Sequence, residues 1–199
     1  MDKEVGKCFS ACNQGQRKEG DFYETHYSMT EQLLEKYNFD IDKSFLEPAC
    51  GNNAITKILS KRIKNIFSYD IINGENFLNE KRKFDWIITN PPYSLADKFV
   101  MKAKEVSNVG IAFLLRTNYL QGNKRYKLIF NVNDNFKLKY IYQFTRMADL
   151  SAPIREDGKY PTGMLAYCWM IWEKGFNGLP IIDWIDNQQY VLNKNNYYL

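Results

Sequence analysis

Two spacings of apolar residues alternate along the chain from residue 21 onward. Leu33, Leu34 and Tyr37 recur at helical spacing, and Ser28 with Glu31 has capping-box spacing, which predicts a helix over 28–38 ending at Asn38. Residues 44–47 predict a short strand, 48–53 a turn, and 54–61 a helix with Ile55, Ile58 and Leu59 on one face. A second strand is expected at 65–69 and a third at 84–89, where Trp86, Ile87 and Ile88 form a continuous apolar run. Leu95, Phe99 and Ala103 place a helix over 95–106, and the apolar run 109–115 gives a fourth strand. Strands alternating with helices predict a parallel α/β sheet, whose ligands bind at the carboxyl ends of the strands. Glu47, Asp70 and Asn90 fall at three of those ends.

Beyond residue 115 the pattern changes. Residues 116–135 are polar, with Lys124, Arg125 and Lys127 clustered; 138–144 alternates as a strand does. A stretch at 145–164 carries Pro153, Gly158 and Pro161, and strands are expected at 165–172 and 181–185. The fold class predicted is α/β, a Rossmann-like sheet flanked by helices with a β-hairpin-like C-terminal part. Residues 1–20 read as a polar flexible tail and 21–199 as one domain. The long segments 116–135 and 145–164 read as functional, since long loops in a compact domain usually are.

Composition changes this picture little. A hydrophobic content of 45% with 25% charged residues is ordinary for a soluble protein, and a net charge of +4 permits nucleic-acid binding without requiring it. No apolar run is long enough to span a membrane and no secretory signal opens the chain, so a cytoplasmic protein is expected. Cys8, Cys12, Cys50 and Cys168 have no zinc-ligand spacing, so no metal is expected and the thiols are read as reduced. His26 is the only histidine, which argues against a Ser–His or Cys–His catalytic pair.

Four short segments carry candidate chemistry. Glu47-Pro48-Ala49-Cys50-Gly51-Asn52-Asn53 joins a strand to a helix, where a close turn lets backbone N–H groups approach a ligand. Asp70 follows one strand later, where an acid can accept hydrogen bonds from both hydroxyls of a ribose. In Gly74-Glu75-Asn76-Phe77-Leu78 a polar side chain precedes an aromatic one, a pair suited to the edge and face of an adenine. Asn90-Pro91-Pro92-Tyr93 ends the third strand abruptly, because proline offers no N–H to a ladder and drives the preceding residue out of helical geometry. The exocyclic amine of adenine is a poor nucleophile because its lone pair is delocalised. The Asn90 carboxamide oxygen and the Pro91 carbonyl oxygen can accept its two N–H groups and favour a tetrahedral nitrogen, while Tyr93 stacks on the ring.

In this order the segments resemble the amino-methyltransferases that use S-adenosylmethionine, above all the DNA adenine-N6 type and its small phage-type members. The resemblance spans residues 21–93: Phe22-Tyr23-Glu24-Thr25, then Glu47, Pro48, Cys50 and Gly51, then Asp70, then Gly74 to Leu78, then Asn-Pro-Pro-Tyr at 90–93. It implies catalysis by Asn90, Pro91, Pro92 and Tyr93. It implies S-adenosylmethionine held by Phe22, Tyr23, Thr25, Glu47, Pro48, Ala49, Cys50, Gly51, Asn53, Asp70, Ile71, Asn76, Phe77 and Asn90. Three positions depart from the family pattern: His26 stands in place of proline, Asn53 in place of the last glycine of the cofactor turn, and Asn76 in place of an acid.

The function implied is methylation of adenine N6 in DNA in the cytoplasm of a bacterium or phage-infected host, with phosphate or base contacts from Arg116, Lys124, Arg125, Lys127, Arg146, Arg155 and Lys159. Two alternatives stand beside it: N-methylation of RNA or of a protein glutamine amide, and a catalytically silent nucleic-acid-binding module of the same fold.

Overall fold

The computed structural model describes residues 25–131, 133–145 and 165–187. Seven strands form one mixed sheet, β1 (Phe45–Glu47), β2 (Ile66–Ser68), β3 (Phe84–Thr89), β4 (Ser107–Arg116), β5 (Phe136–Phe144), β6 (Tyr167–Lys174) and β7 (Ile181–Ile185), in the order β2-β1-β3-β4-β6-β5-β7. Strands β2, β1, β3 and β4 are mutually parallel, whereas β6 runs antiparallel to both of its neighbours, β4 and β5. The β5–β6 pair is the hairpin-like part, and β7 returns parallel to β5.

The central strands are buried on both faces, which explains their unbroken apolar runs. Successive residues point to opposite sides. Ile87, Ile111, Phe113, Met170 and Trp172 meet helix α3 (Ala96–Val106) through Phe99, Val100 and Ala103. Trp86, Ile88, Ala112, Leu114, Trp169 and Ile171 meet helices α1 (Tyr27–Lys36) and α2 (Ala54–Leu59) through Met29, Leu33, Ile55 and Leu59. The fully buried Trp169 also donates from Nε1 to the Met29 carbonyl at 2.8 Å, tying α1 to the sheet. Gly110 is glycine because the Trp86 ring lies across it: a Cβ there would stand 2.5 Å from two ring carbons and 2.8 Å from the Trp172 carbonyl oxygen.

Two local expectations are corrected. Helix α1 is capped by His26, whose Nδ1 accepts from the Ser28 N–H at 3.3 Å, rather than by Ser28 and Glu31, and it ends at Lys36. Glu31 instead pairs with Lys61 on the neighbouring helix segment. The polar segment 116–135 is not an open loop: it contains a 3-10 turn (Thr117–Leu120) and helix α4 (Asn123–Leu128). Among the described residues, no helix is long and apolar enough to cross a membrane.

Candidate active site at the carboxyl edge of the sheet

Because β1 to β4 run in parallel, Glu47, the residues after Ser68, Asn90 and Arg116 all lie at one edge of the sheet. At the first position the chain leaves β1 through a turn bolted to the end of β2: Tyr69 N–H donates to the Glu47 carbonyl at 3.1 Å and Cys50 N–H to the Tyr69 carbonyl at 3.1 Å. Gly51 (φ 48°) and Asn53 (φ 62°) are both left-handed, and Asn53 is the only non-glycine residue with positive φ among the described residues. The position where the resembled family carries glycine therefore does demand left-handed backbone, which asparagine tolerates better than most residues. The Asn53 Oδ1 also accepts from the Ser68 hydroxyl at 3.3 Å.

Glu47 lies beneath this turn, 1% exposed, with Oε2 accepting from the backbone N–H and the hydroxyl of Thr56. Burial outweighs these bonds and pushes its pKa up to about 8, so the carboxyl is largely protonated near neutrality. The same burial raises the Cys50 thiol to about 11, keeping it protonated. Asp70 grips the turn from the other side. Its Oδ2 accepts from Gly51 N–H at 2.9 Å and its Oδ1 from Ile72 N–H at 3.1 Å, which presents the carboxylate at the edge with the exposed side chain of Ile71 beside it.

The Asn-Pro-Pro-Tyr segment leaves β3 at the same edge. Asn90 Nδ2 donates to Thr25 Oγ1 at 3.1 Å, and Thr25 is itself buried. Thr25 stands just before the α1 cap, so the entry to α1 ties the Asn90 carboxamide in place. His26, which follows, has φ −63°, the angle a proline ring would impose, and burial lowers its imidazole to about 4, so it caps α1 in the neutral form.

Tyr93 is held by Arg116, at the end of the neighbouring strand β4, and by Tyr167, at the start of β6. Its hydroxyl bonds the Tyr167 hydroxyl at 2.9 Å, and the Arg116 guanidinium lies over its ring at 4.5 Å from the centroid. Arg116 Nε also reaches the Tyr167 hydroxyl at 3.4 Å. Tyr167 is the residue that sequence reasoning missed. It opens β6, and the antiparallel register sets it directly opposite Arg116.

The other residues singled out in the sequence have varied surroundings. The Phe77 ring is 2% exposed and packs on Phe99 in the core. Asn76 is exposed and its Oδ1 accepts from Leu78 N–H at 3.0 Å. Arg116 is engaged by two tyrosines, Tyr93 and Tyr167. Arg125 is drawn into an ion pair with Asp97 at 2.9 Å and a bond to the Gln121 carbonyl at 2.9 Å, which anchors α4 to the first turn of α3. Lys124 and Lys127 of α4 remain exposed. Phe22, Tyr23, Arg146, Arg155 and Lys159 lie outside the described residues.

An acid, a tight turn, a carboxamide and an aromatic ring at one sheet edge suit a nucleoside-like ligand beside a flat, amine-bearing group. The architecture carrying them is the Rossmann-like fold of S-adenosylmethionine-dependent methyltransferases. No family model matches the sequence, and no curated protein matches it. Solved structures do match the fold. The M protein of the type I restriction enzyme EcoKI is similar over 77% of this chain and 44% of its own, at 12% identity and a TM-score of 0.58. A putative class I S-adenosylmethionine-dependent methyltransferase from Listeria monocytogenes is similar over 83% of this chain and 66% of its own, at 11% identity and a TM-score of 0.54. The 23S rRNA methyltransferase ErmE is similar over 79% and 72%, at 13% identity and a TM-score of 0.53. The chain thus spans less than two thirds of the first two proteins, and at these identities the likeness is one of fold.

Proposed function

We propose that the chain transfers a methyl group from S-adenosylmethionine to the exocyclic N6 amine of adenine in DNA. The observation that carries this reading is the Asn90 carboxamide, held through Nδ2 by Thr25 at 3.1 Å beside the Tyr93 ring, on the sheet edge that also bears Asp70. The residues fit the methyl donor: the Asp70 carboxylate suits the two ribose hydroxyls, Ile71 offers an apolar side chain beside it, and the left-handed turn at Gly51 and Asn53 brings backbone close to the edge. When bound, S-adenosylmethionine supplies an electrophilic methyl group.

Every other task falls to the chain. With its Nδ2 facing Thr25, the Asn90 carboxamide turns Oδ1 away as an acceptor, and the Pro91 carbonyl is the second acceptor for the two N–H groups of the amine. Acceptance by both favours a tetrahedral nitrogen with a localised lone pair, an interaction stronger in the transition state than in the ground state. Tyr93 holds the plane of the base, which must leave a duplex stack to reach this edge. Exposed Lys124 and Lys127 on α4 suit phosphates. The fold likeness to a 23S rRNA methyltransferase motivates a second reading, in which the amine belongs to RNA.

Incubation with labelled donor and, separately, unmethylated DNA, RNA and protein decides between them. Label in DNA, recovered as N6-methyladenine on digestion, is expected; label in RNA alone would favour the second reading, and no calorimetric binding of S-adenosylmethionine would refute both. Asn90→Ala should abolish transfer and leave donor binding largely intact. Normal turnover in that variant would refute the role assigned to the carboxamide.

A further inference from the structure

The Tyr93 ring is held by a small polar cluster at the ends of the next two strands, β4 and β6. Tyr167 and Arg116 face each other across β4 and β6, and each touches Tyr93: hydroxyl to hydroxyl at 2.9 Å, and guanidinium to ring at 4.5 Å. The Tyr167 hydroxyl meets both Tyr93 and Arg116 Nε, so it is the node of the cluster. The two tyrosine rings stand 6.0 Å apart and are tilted by 43°, so Tyr167 contacts Tyr93 obliquely and is not stacked on it. The support beneath the node is stiff. Gln143 Nε2 donates to the Tyr167 carbonyl at 2.9 Å, and Thr117 donates to Gln143 Oε1 at 2.7 Å, which links β4, β5 and β6 at the rim.

We infer that Tyr167 is a positioning residue for the proposed methyl transfer, fixing the axis of the Tyr93 ring through the hydroxyl pair and its plane through Arg116, whose Nε the same hydroxyl meets. The inference rests on the reading of Asn90 to Tyr93 as the grip on a planar amine. A tyrosine side chain tied only at its Cα can swing about χ1 and χ2; tied at its hydroxyl as well, it keeps one axis, and the guanidinium lying over its face resists rotation of the ring about that axis. The base stacked on it then keeps its amine within reach of the Asn90 and Pro91 oxygens. Such control shows in turnover and leaves donor binding alone, because misplacement by a fraction of an ångström is felt in the rate of the chemical step. Arg116 has a matching part. Its charge lies over the Tyr93 ring at 4.5 Å from the centroid, attracted by the ring quadrupole, and backs the platform.

The test is a cycle of Tyr167→Phe, Tyr93→Phe and the double variant, each of which removes only hydroxyl groups. Measured are single-turnover methyl transfer to DNA, the donor dissociation constant, the melting temperature, and the fluorescence of 2-aminopurine placed at the target position. Tyr167→Phe is expected to slow transfer about tenfold and to weaken the stacking-dependent quenching of 2-aminopurine, with donor binding unchanged. The double variant should lose no more than the slower single variant, because both changes break one link. If Tyr167→Phe melts early, Arg116→Lys supplies the second probe: it keeps the charge, loses the planar stack, and should weaken the quenching while donor binding holds. An active wild type whose Tyr167→Phe or Arg116→Lys variant retains full rate and quenching overturns this inference alone. So does full additivity in the cycle. A wild type that binds the donor and methylates no amine overturns the reading of the site, and this inference with it.

Discussion

Replacing Thr25 by valine tests the most specific contact in the site. Valine keeps the shape of threonine and removes one atom of consequence, the Oγ1 that accepts from Asn90 Nδ2 at 3.1 Å. That contact gives the carboxamide one preferred placement at the end of β3. A buried hydrogen bond contributes about 1 kcal/mol net. Losing the preference raises the barrier by a similar amount, and at about 1.36 kcal/mol per tenfold change the chemical step should slow about fivefold. Single-turnover transfer at saturating donor isolates that step, and Thr25→Ser should restore it because the acceptor returns. Sequence reasoning grouped Thr25 with the cofactor residues, which gives the opposite outcome. A Thr25→Val variant with normal transfer at saturation and weakened S-adenosylmethionine binding would refute the orienting role.

Two further outcomes follow from the packing. Glu47 has its pKa raised by burial to about 8 in the folded chain, above its ordinary value, so its contribution to stability is full below pH 4.5 and is lost as the pH rises through 8. Denaturant unfolding between pH 5 and 8 should show wild type losing a few kcal/mol more than Glu47→Gln, at about 1.36 kcal/mol per pH unit; parallel curves would mean the carboxyl is charged in the fold. Gly110→Ala forces a methyl group into the Trp86 ring and the Trp172 backbone, and should destabilise by about 1–3 kcal/mol, read as a lower melting temperature with the fold retained.

The sheet was legible in the sequence because its central strands are long apolar runs and its turns are sharply polar. The three acidic and amide strand ends could be placed on one edge from the alternation of strand and helix alone. Helix α4 was not legible: it is short and largely exposed, and Arg125 and Ile129 anchor it. Arg116 and Arg125 read as free charges because an ion pair or a ring contact made across the fold leaves no trace in local pattern. The burial of Phe77 against Phe99, a residue of α3, leaves no local trace either. Tyr167 escaped notice because periodicity says where a strand is and is silent about its direction. Only the reversal of β6 brings its first residue, rather than its last, to the functional rim.

That reversal bears on how the molecule is made. A ribosome releases Thr25, the donor turn and Asn90 to Tyr93 early, but β6 emerges only after most of the chain has been synthesised, and the strand it must enter between is already present as β4. Insertion of a late strand between β4 and β5 is a non-local event with a high entropic cost of closure, which makes it a natural slow step in folding. The ring clamp is then the last part of the edge to form. On the reading proposed above, a chain ending before β6 holds the turn at Gly51 and the segment from Asn90 to Tyr93 and lacks Tyr167, so the Tyr93 ring is the part of the edge left unheld.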